Sequence, residues 1–142
     1  MNSVIKGSCL CGKVSYLISQ NLGDIVHCHC PTCRKAHGSA FSSVAVIADS
    51  SLTLVGAEQL KSFESSPGKH RHFCSNCGSQ IYAKREGTDF VILRLGTVDD
   101  ASLNDNQGIA RDRGYQEAKH IWLSQKACWY ELNSNIEQHA EF

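Results

Sequence analysis

The sequence predicts a mainly β domain with little helix. Short segments in which apolar and polar residues alternate are separated by turn residues, and apolar residues at helical spacing are nearly absent. The chain has 142 residues, which is enough for one domain with a buried core, and no repeat or low-complexity segment divides it. We therefore predict a single domain over residues 1–132 and a loose tail over residues 133–142.

The predicted strands follow in chain order. Residues 7–19 begin with two cysteines and continue as a half-buried strand, in which Val14, Tyr16 and Ile18 share one face. The other strands are predicted over residues 24–30, 41–48, 52–56, 80–84 and 90–96, the last of which is an apolar run interrupted by Arg94.

One short helix and two longer segments complete the prediction. Residues 31–37 begin with a proline and precede Gly38, a pattern that predicts a turn of helix. Residues 97–118 are polar and are expected to form a long surface loop, while residues 121–132 are apolar and aromatic again.

Charge and hydropathy argue against several classes of partner. The 14 Lys and Arg residues balance 14 Asp and Glu residues, so no basic excess is available to bind a phosphate backbone. Residues 1–13 contain no apolar run of signal-peptide length, and no segment approaches the ~20 apolar residues that span a bilayer. We expect a cytoplasmic protein that binds neither nucleic acid nor a membrane.

Eight cysteines are a high number for a chain of this size. Seven of them lie in three tight clusters separated by long cysteine-free segments: Cys9 and Cys11; Cys28, Cys30 and Cys33; Cys74 and Cys77. Disulfide frameworks occur mainly in secreted proteins, whereas clustered cysteines in a reducing compartment more often bind metal. The clusters therefore predict metal binding.

The first and last clusters resemble each other, because Gly12 and Gly78 directly follow their second cysteines. Glycine favours such metal-binding turns, since it adopts positive φ without a Cβ clash. Together the two clusters supply four thiolates, the complete tetrahedral shell of a structural zinc: Cys9, Cys11, Cys74 and Cys77. Such an ion would close the long segment between them into a loop, where a cross-link stabilises most.

The middle cluster supplies three thiolates, from Cys28, Cys30 and Cys33, and no fourth cysteine lies nearby in the sequence. Three protein ligands and one open position are typical of a zinc that binds an exchangeable group. Alternatively, His37 closes the shell, because it lies four residues after Cys33 and can share its helical face. His29 lies between two ligands and is expected to point away from the metal. The C-x-C-x-x-C spacing of this cluster matches neither standard ferredoxin run, which argues against an iron–sulfur cluster.

The remaining cysteine and two histidines are expected to be structural. Cys128 lies between Ala127 and Trp129 in an apolar segment, which predicts a small buried side chain. His70 and His72 alternate on a predicted strand face and are expected to contact no metal.

An open zinc with three thiolates has a net negative charge, which makes it a poor activator of water. It suits a soft ligand, so we expect it to take up a substrate thiol, lower its pKa and present the thiolate to an electrophile. Arg34 and Lys35 follow Cys33 directly and are candidates for holding substrate carboxylates. Four further basic residues border the last cluster: Lys69, Arg71, Lys84 and Arg85. Each of them is also typical of a charged side chain on a solvated surface.

The cysteines occur in the order C-x-C, C-x-C-x-x-C and C-x-x-C-G, within residues 7–12, 28–35 and 73–79. His120-Ile121-Trp122 and Trp129 follow in the C-terminal part. These motifs resemble the glutathione-dependent formaldehyde-activating enzyme family, which is grouped with centromere protein V, and the likeness covers about residues 5–131.

The resemblance implies an all-β fold of the β-tent type, in which short antiparallel sheets are organised around the structural zinc. It also implies a carbon–sulfur lyase that forms S-hydroxymethylglutathione from formaldehyde and glutathione. Two zinc ions per chain are implied, in the division that the spacing predicts: a structural ion at Cys9, Cys11, Cys74 and Cys77, and a catalytic ion at Cys28, Cys30 and Cys33. Cys128 stands where relatives often have proline.

Two hypotheses about function follow. In the first, the chain is an enzyme whose open zinc holds a small-molecule thiol such as glutathione and presents it to a small aldehyde. In the second, both metals are structural and the chain is a zinc-stabilised module that binds a protein.

Overall fold

The chain is mainly β, as the sequence predicts. A computed structural model describes residues 4–103 and 114–142. Two short α-helices lie in these residues, α1 (Pro31–His37) and α2 (Asp100–Leu103). The strands in the same residues are β1 (Ile5–Ser8), β2 (Ser15–Ile18), β3 (Gly23–Cys28), β4 (Ser42–Ala48), β5 (Leu52–Val55), β6 (Leu60–Ser66), β7 (Lys69–Cys74), β8 (Gln80–Arg85), β9 (Phe90–Arg94), β10 (Tyr115–Ile121) and β11 (Glu137–Gln138).

The strands form two sheets. A small antiparallel sheet has the order β1-β2-β5, and a larger sheet has the order β11-β10-β3-β4-β9-β8-β7-β6. In the part of the large sheet with the order β3-β4-β9-β8-β7-β6, each strand is antiparallel to its neighbours. In contrast, β10 runs parallel to both β3 and β11. Most strand pairs are therefore antiparallel, as the sequence predicts, and they are divided between two sheets. A parallel pair requires a long connection, and most of the domain separates β3 from β10.

The core joins the two sheets. Val14, Tyr16 and Ile18 are all at most 1% exposed, which confirms the predicted buried face of β2. They belong to one apolar cluster with Ile47 and Leu93 of the large sheet. This packing fixes the β1–β2 turn, with Cys9 and Cys11, against the large sheet.

The short helix predicted over residues 31–37 is confirmed as α1. Pro31 occupies its first turn, where the missing N–H is harmless. Gly38 ends the helix with φ 62°, and its N–H donates to the carbonyl of Arg34. No helix in residues 4–103 and 114–142 combines the length and the apolar character needed to cross a membrane.

Some strands differ from the prediction. β6 is a strand that the sequence pattern does not predict, because it lies at the edge of the large sheet and carries mostly exposed residues. β10 begins at Tyr115, inside the segment expected to be a surface loop. Residues 104–113 of that expected loop lie outside the described residues.

Residues near the end of the chain form main-chain hydrogen bonds with β10 and the segment that follows it. β11 pairs with β10, and the N–H of Ser124 donates to the carbonyl of Ala140 over 2.9 Å. The ring of Phe142 packs edge-on against Trp122, with ring centroids 4.8 Å apart. Main-chain hydrogen bonds largely hold this segment, and the polar composition of the tail does not indicate them.

Gly56→Ala is expected to destabilise the domain strongly. Gly56 has φ +81°, and an added Cβ would lie 1.9 Å from the carbonyl oxygen of Lys13, in the turn that carries Cys11. Gly87→Ala is the matched control, because Gly87 has φ +79° and nothing lies within 4 Å of an added Cβ. In urea unfolding we expect a loss of about 1 kcal/mol for Gly87→Ala and roughly 3 kcal/mol for Gly56→Ala. Equal losses would contradict a backbone clash at Gly56.

Candidate metal centres

Seven of the eight cysteines lie in two groups, and within each group the sulfur atoms lie within 4.8 Å of one another. The four-cysteine group consists of Cys9, Cys11, Cys74 and Cys77. The three-cysteine group consists of Cys28, Cys30 and Cys33. The structure therefore brings together the residues of each predicted ligand set, and both groups offer only thiol sulfur atoms to an ion.

The four-cysteine group connects the small sheet to the large one. Cys9 and Cys11 lie in the β1–β2 turn, whereas Cys74 ends β7 and Cys77 lies in the next turn. The sulfur of Cys11 lies 3.6 Å from that of Cys9 and 3.8 Å from that of Cys74. Four thiolates around a zinc at ~2.3 Å form a tetrahedron with edges of about 3.8 Å. The geometry of the group therefore fits a tetrahedral, thiolate-bound ion.

Glycine shapes both turns of the four-cysteine group. Gly12 and Gly78 have φ +80° and +81°, the left-handed conformation that the sequence analysis assigned to them. The hydroxyl of Ser79 lies 3.3 Å from the sulfur of Cys77. Hydrogen bonds, first of all from Ser79, lower the pKa of Cys77 to about 5. This sulfur is therefore a thiolate at neutral pH, as a metal ligand must be.

The three-cysteine group is built by the β3–α1 connection. Cys28 ends β3, and Cys30 is the N-cap of α1, where its sulfur accepts a hydrogen bond from the N–H of Cys33 over 3.4 Å. His37 shares α1 with Cys33 but is not part of the group. Within the described residues, no His, Cys, Asp or Glu side chain adds a fourth ligand to it.

His29 points away from the sulfur atoms, as expected. Its Nε2 lies 2.8 Å from Nδ1 of His120 on β10, and its ring packs 4.8 Å from that of Phe41. Burial, with smaller contributions from nearby cations, lowers the pKa of His29 to about 4, so this imidazole is neutral at pH 7. The pair holds the segment between Cys28 and Cys30 against β10.

The surroundings of Cys33 favour its thiolate form. The hydrogen bond from Cys28 is the main cause that lowers the pKa of Cys33, although burial opposes it. The same hydrogen bond, together with burial, raises the pKa of Cys28. Nη2 of Arg71 also lies 3.8 Å from the sulfur of Cys33. An electron-rich sulfur group of this kind suits a thiophilic cation.

A cavity of about 550 Å³ opens at the three-cysteine group. Its lining is rich in cations, and none of the described lining residues is acidic. The tail helps to form the wall, because Phe142 lines the cavity together with Trp122. The cations come from β7, β8 and β9: Lys69, Arg71, Arg85 and Arg94. The cavity therefore favours an anionic ligand.

The two basic residues next to the cysteines in sequence do not line this cavity. Arg34 and Lys35 follow Cys33 on α1, where successive side chains point in different directions around the helix. Lys35 lines a neighbouring pocket instead. Three of the four basic residues that border the last cluster do line the cavity: Lys69, Arg71 and Arg85. The fourth, Lys84, forms an ion pair with Asp49.

Arg94 is a site residue that the sequence analysis did not assign. It is only 4% exposed and reaches the cavity from β9. Burial and repulsion from Arg71 lower the pKa of Arg94 to about 10, so it remains a cation at neutral pH. The sequence does contain a sign of this role, because Arg94 interrupts the apolar run of β9. Buried charges need a partner and cluster at functional sites.

Cys128 is exposed, so the prediction of a buried side chain is wrong. The neighbouring Ala127 is the buried residue, at 1% exposed, and Trp129 is exposed as well. The chain turns at this point, and an apolar composition does not determine which of adjacent turn residues faces the core.

His70 and His72 lie on β7, as predicted. The ring of His72 stacks on Tyr82 with ring centroids 4.4 Å apart. Nε2 of His70 lies 2.9 Å from a carboxylate oxygen of Glu86 and 3.6 Å from one of Glu64. These three side chains also form a group of ligand-type atoms, but both carboxylates are exposed and form ordinary surface ion pairs.

Two proteins with assigned names are similar in sequence over more than half of this chain. A Halomonas elongata protein, provisionally named a glutathione-dependent formaldehyde-activating enzyme, is 27% identical over 139 residues, which cover 92% of this chain and 82% of that protein. A Fusarium vanettenii protein with the same provisional name is 29% identical over 114 residues. That match covers 68% of this chain and 61% of the Fusarium protein, so the chain spans less than two thirds of it.

A solved structure shares the fold. The crystal structure of a Rhodobacter sphaeroides protein matches with a TM-score of 0.55 at 23% identity, over 78% of this chain and 99% of that one. The sequence profile of the family described as glutathione-dependent formaldehyde-activating enzyme matches residues 4–125, which contain both cysteine groups. The chain therefore belongs to the glutathione-dependent formaldehyde-activating enzyme family.

Proposed function

We propose that this chain is a zinc-dependent carbon–sulfur lyase, which makes or breaks the bond between the sulfur of a small thiol, such as glutathione, and the carbon of a small aldehyde. The observation that carries the proposal is the three-cysteine group at a basic cavity, with no fourth ligand among the described side chains. Membership of a family named for glutathione and formaldehyde supports the same chemistry.

The proposal includes two zinc ions per chain. The four-cysteine group would hold a structural ion, because four thiolates complete a tetrahedral shell. The three-cysteine group would hold the catalytic ion, and there zinc would supply an exchangeable position that takes up a thiol and lowers its pKa. The ligand sets are Cys9, Cys11, Cys74 and Cys77 for the first ion and Cys28, Cys30 and Cys33 for the second.

The lining of the cavity supports an anionic thiol. Glutathione carries carboxylates at both ends, far from its sulfur, and these need cationic partners. Arg85 is exposed and Lys69 is half-buried, so both are accessible to such carboxylates. No described lining residue carries an Asp or Glu side chain that would compete for these cations.

The reaction itself is an addition to a carbonyl group. The thiolate sulfur of the substrate attacks the aldehyde carbon, a carbon–sulfur bond forms, and the carbonyl oxygen takes up a proton. Arg71, in contact with Cys33, offsets negative charge at the sulfur atoms. No described lining residue is a His, Asp or Glu, so the proton exchanges with solvent.

Metal analysis combined with a glutathione titration tests the proposal. The purified protein is expected to contain two zinc ions per chain. After replacement by cobalt, glutathione is expected to change the sulfur-to-metal charge-transfer bands of one ion, because a new thiolate enters its coordination shell. S-methylglutathione is the matched control ligand, since it keeps both carboxylates but has no free thiol.

The alternative hypothesis, a binding module with two structural metals, predicts a different result. In that case two ions are present and neither responds to glutathione, cysteine or any other low-molecular-weight thiol. This outcome would exclude thiol capture at the three-cysteine group.

A further inference from the structure

Arg71 and Arg94 form a buried pair of cations whose hydrogen-bonding capacity is largely unused. Each side chain is 4% exposed. Nε and Nη1 of Arg71 and Nε and Nη2 of Arg94 have no hydrogen-bond partner in the described part of the chain. Buried charges are rarely left unpaired, because losing water without gaining a partner is costly. Both residues line the cavity, so an anion in the cavity can provide that partner.

The sulfur atoms alone do not satisfy this pair. The contact between the arginine pair and the sulfur atoms is a long one, 3.8 Å from Nη2 of Arg71 to the sulfur of Cys33. A guanidinium group has five N–H donors in a planar fork, which matches the two oxygen atoms of a carboxylate. A thiolate offers charge but only one acceptor atom. No Asp or Glu side chain is among the described lining residues, and none of the ion pairs among the described residues involves Arg71 or Arg94.

We propose that Arg71 and Arg94 bind a carboxylate directly attached to the reacting carbonyl carbon, so that the preferred electrophile is a short 2-oxo acid rather than an uncharged aldehyde. This inference rests on the thiol chemistry of the proposed function and replaces the simple aldehyde by a 2-oxo acid as the preferred electrophile of the same site.

The position of the pair selects which carboxylate it binds. Because Arg71 contacts Cys33, an anion bound to Arg71 lies beside the three-cysteine group. In the adduct of a thiol with a 2-oxo acid, the carboxylate is bonded to the carbon that the sulfur attacks. In glutathione, an amide bond separates each carboxylate from the cysteine unit that carries the sulfur. Glutathione carboxylates therefore suit the more accessible Lys69 and Arg85, and the buried pair suits the electrophile.

Formaldehyde would leave the pair unused, because it has neither charge nor a second oxygen atom. With a 2-oxo acid, the thiolate sulfur attacks the 2-oxo carbon and forms the carbon–sulfur bond. The electron pair of the carbonyl bond moves to oxygen, which takes up the proton that the thiol released. No oxidant or reductant is required, and the reverse reaction returns the thiol and the 2-oxo acid. The carboxylate keeps its charge throughout and positions the carbon.

Binding can be measured separately from turnover. Zinc-loaded protein is titrated calorimetrically with pyruvate and with methyl pyruvate, its uncharged ester. We expect pyruvate to bind and the ester to bind at least about tenfold more weakly, because a hydrogen-bonded charge is lost. Arg94→Gln should weaken pyruvate binding by a similar factor. Lys61→Gln, which removes an exposed cation of β6 outside the cavity, should leave it unchanged.

Turnover is followed by carbon-13 exchange spectroscopy with glutathione and either glyoxylate or formaldehyde. Arg94→Gln is expected to lower kcat/KM for glyoxylate at least about tenfold and to change that for formaldehyde far less. Zinc content and the melting temperature of each variant show whether it is folded. If Arg94→Gln does not fold, Arg94→Lys keeps the charge without the planar fork and should show the same selective loss.

The outcomes separate this inference from the proposed function. Equal binding of pyruvate and its ester, or an equal loss for glyoxylate and formaldehyde in Arg94→Gln, would overturn the inference even where glutathione still binds. The inference would also be overturned if binding of 3-mercaptopropionate depends on Arg94 and binding of pyruvate does not. In that case Arg94 would bind the carboxylate of the thiol substrate and not that of the electrophile. Pyruvate binding that depends on Arg94 would support the carboxylate site even in a protein that does not respond to thiols, a result that would contradict only the proposed function.

Discussion

Replacing Cys74 by serine is expected to unfold the domain or to lower its free energy of unfolding by on the order of 5 kcal/mol or more. The Cys74 side chain is completely buried and belongs to the group that connects β7 to the β1–β2 turn. If a structural zinc is bound there, its binding free energy is part of the folding free energy, and loss of one thiolate removes much of it. Urea unfolding and zinc content measure both effects.

Cys128→Ser is the matched control for Cys74→Ser, because it makes the same chemical change at an exposed cysteine outside both groups. We expect its unfolding free energy to stay within about 0.5 kcal/mol of the original chain, with an unchanged zinc content. A Cys74→Ser protein with two zinc ions and an unaltered melting temperature would rule out a structural ion at the four-cysteine group.

Replacing Cys33 by serine is expected to give a folded protein with one zinc ion and no response to glutathione. Cys33 lies at the cavity, and contacts that involve no metal, such as the buried His29–His120 pair, hold the neighbouring segment. The rate of carbon–sulfur bond formation should fall by at least about 100-fold, because the group that activates the thiol is lost. Zinc content, circular dichroism and carbon-13 exchange give the three readouts.

Comparison of the two cysteine variants tests the assignment of separate roles. If Cys33→Ser and Cys74→Ser lose the same amount of stability in thermal melts, the two groups contribute equally to the fold. That result would contradict a structural ion in one group and a catalytic ion in the other. A Cys33→Ser protein that retains two zinc ions would instead point to a fourth ligand that keeps the second ion in place.

The division of the cysteines could be predicted because it depends on local structure. Two cysteines separated by one or two residues, with glycine behind them, form the same turn in many folds, as Gly12 and Gly78 show. The helix α1 was equally predictable, since Pro31 starts it and Gly38 ends it. Each turn and the helix are determined by interactions within a few residues, whereas the meeting of the first and last clusters depends on the packing of the two sheets.

The cations of the cavity could not be predicted in the same way. Arg34 and Lys35 lie beside Cys33 in sequence, but helical geometry directs them away from the cavity. Arg94 lies in a separate part of the sequence from the three cysteines and reaches them only because β9 pairs with β4, which pairs with β3. The wall formed by Phe142 likewise depends on the pairing of β11 with β10.

The sequence by itself determined a mainly β chain, the division of seven cysteines into groups of four and three, and the family that their order indicates. Alternation, turn glycines and cysteine spacing are local properties, so they can be read without the fold. The tertiary structure alone decided that the three-cysteine group lies at a cavity with four cations, that Arg71 and Arg94 are buried there with several N–H groups unpartnered among the described residues, and that Cys128 is exposed. These features depend on contacts between strands distant in sequence, and the pairing order of the large sheet fixes them.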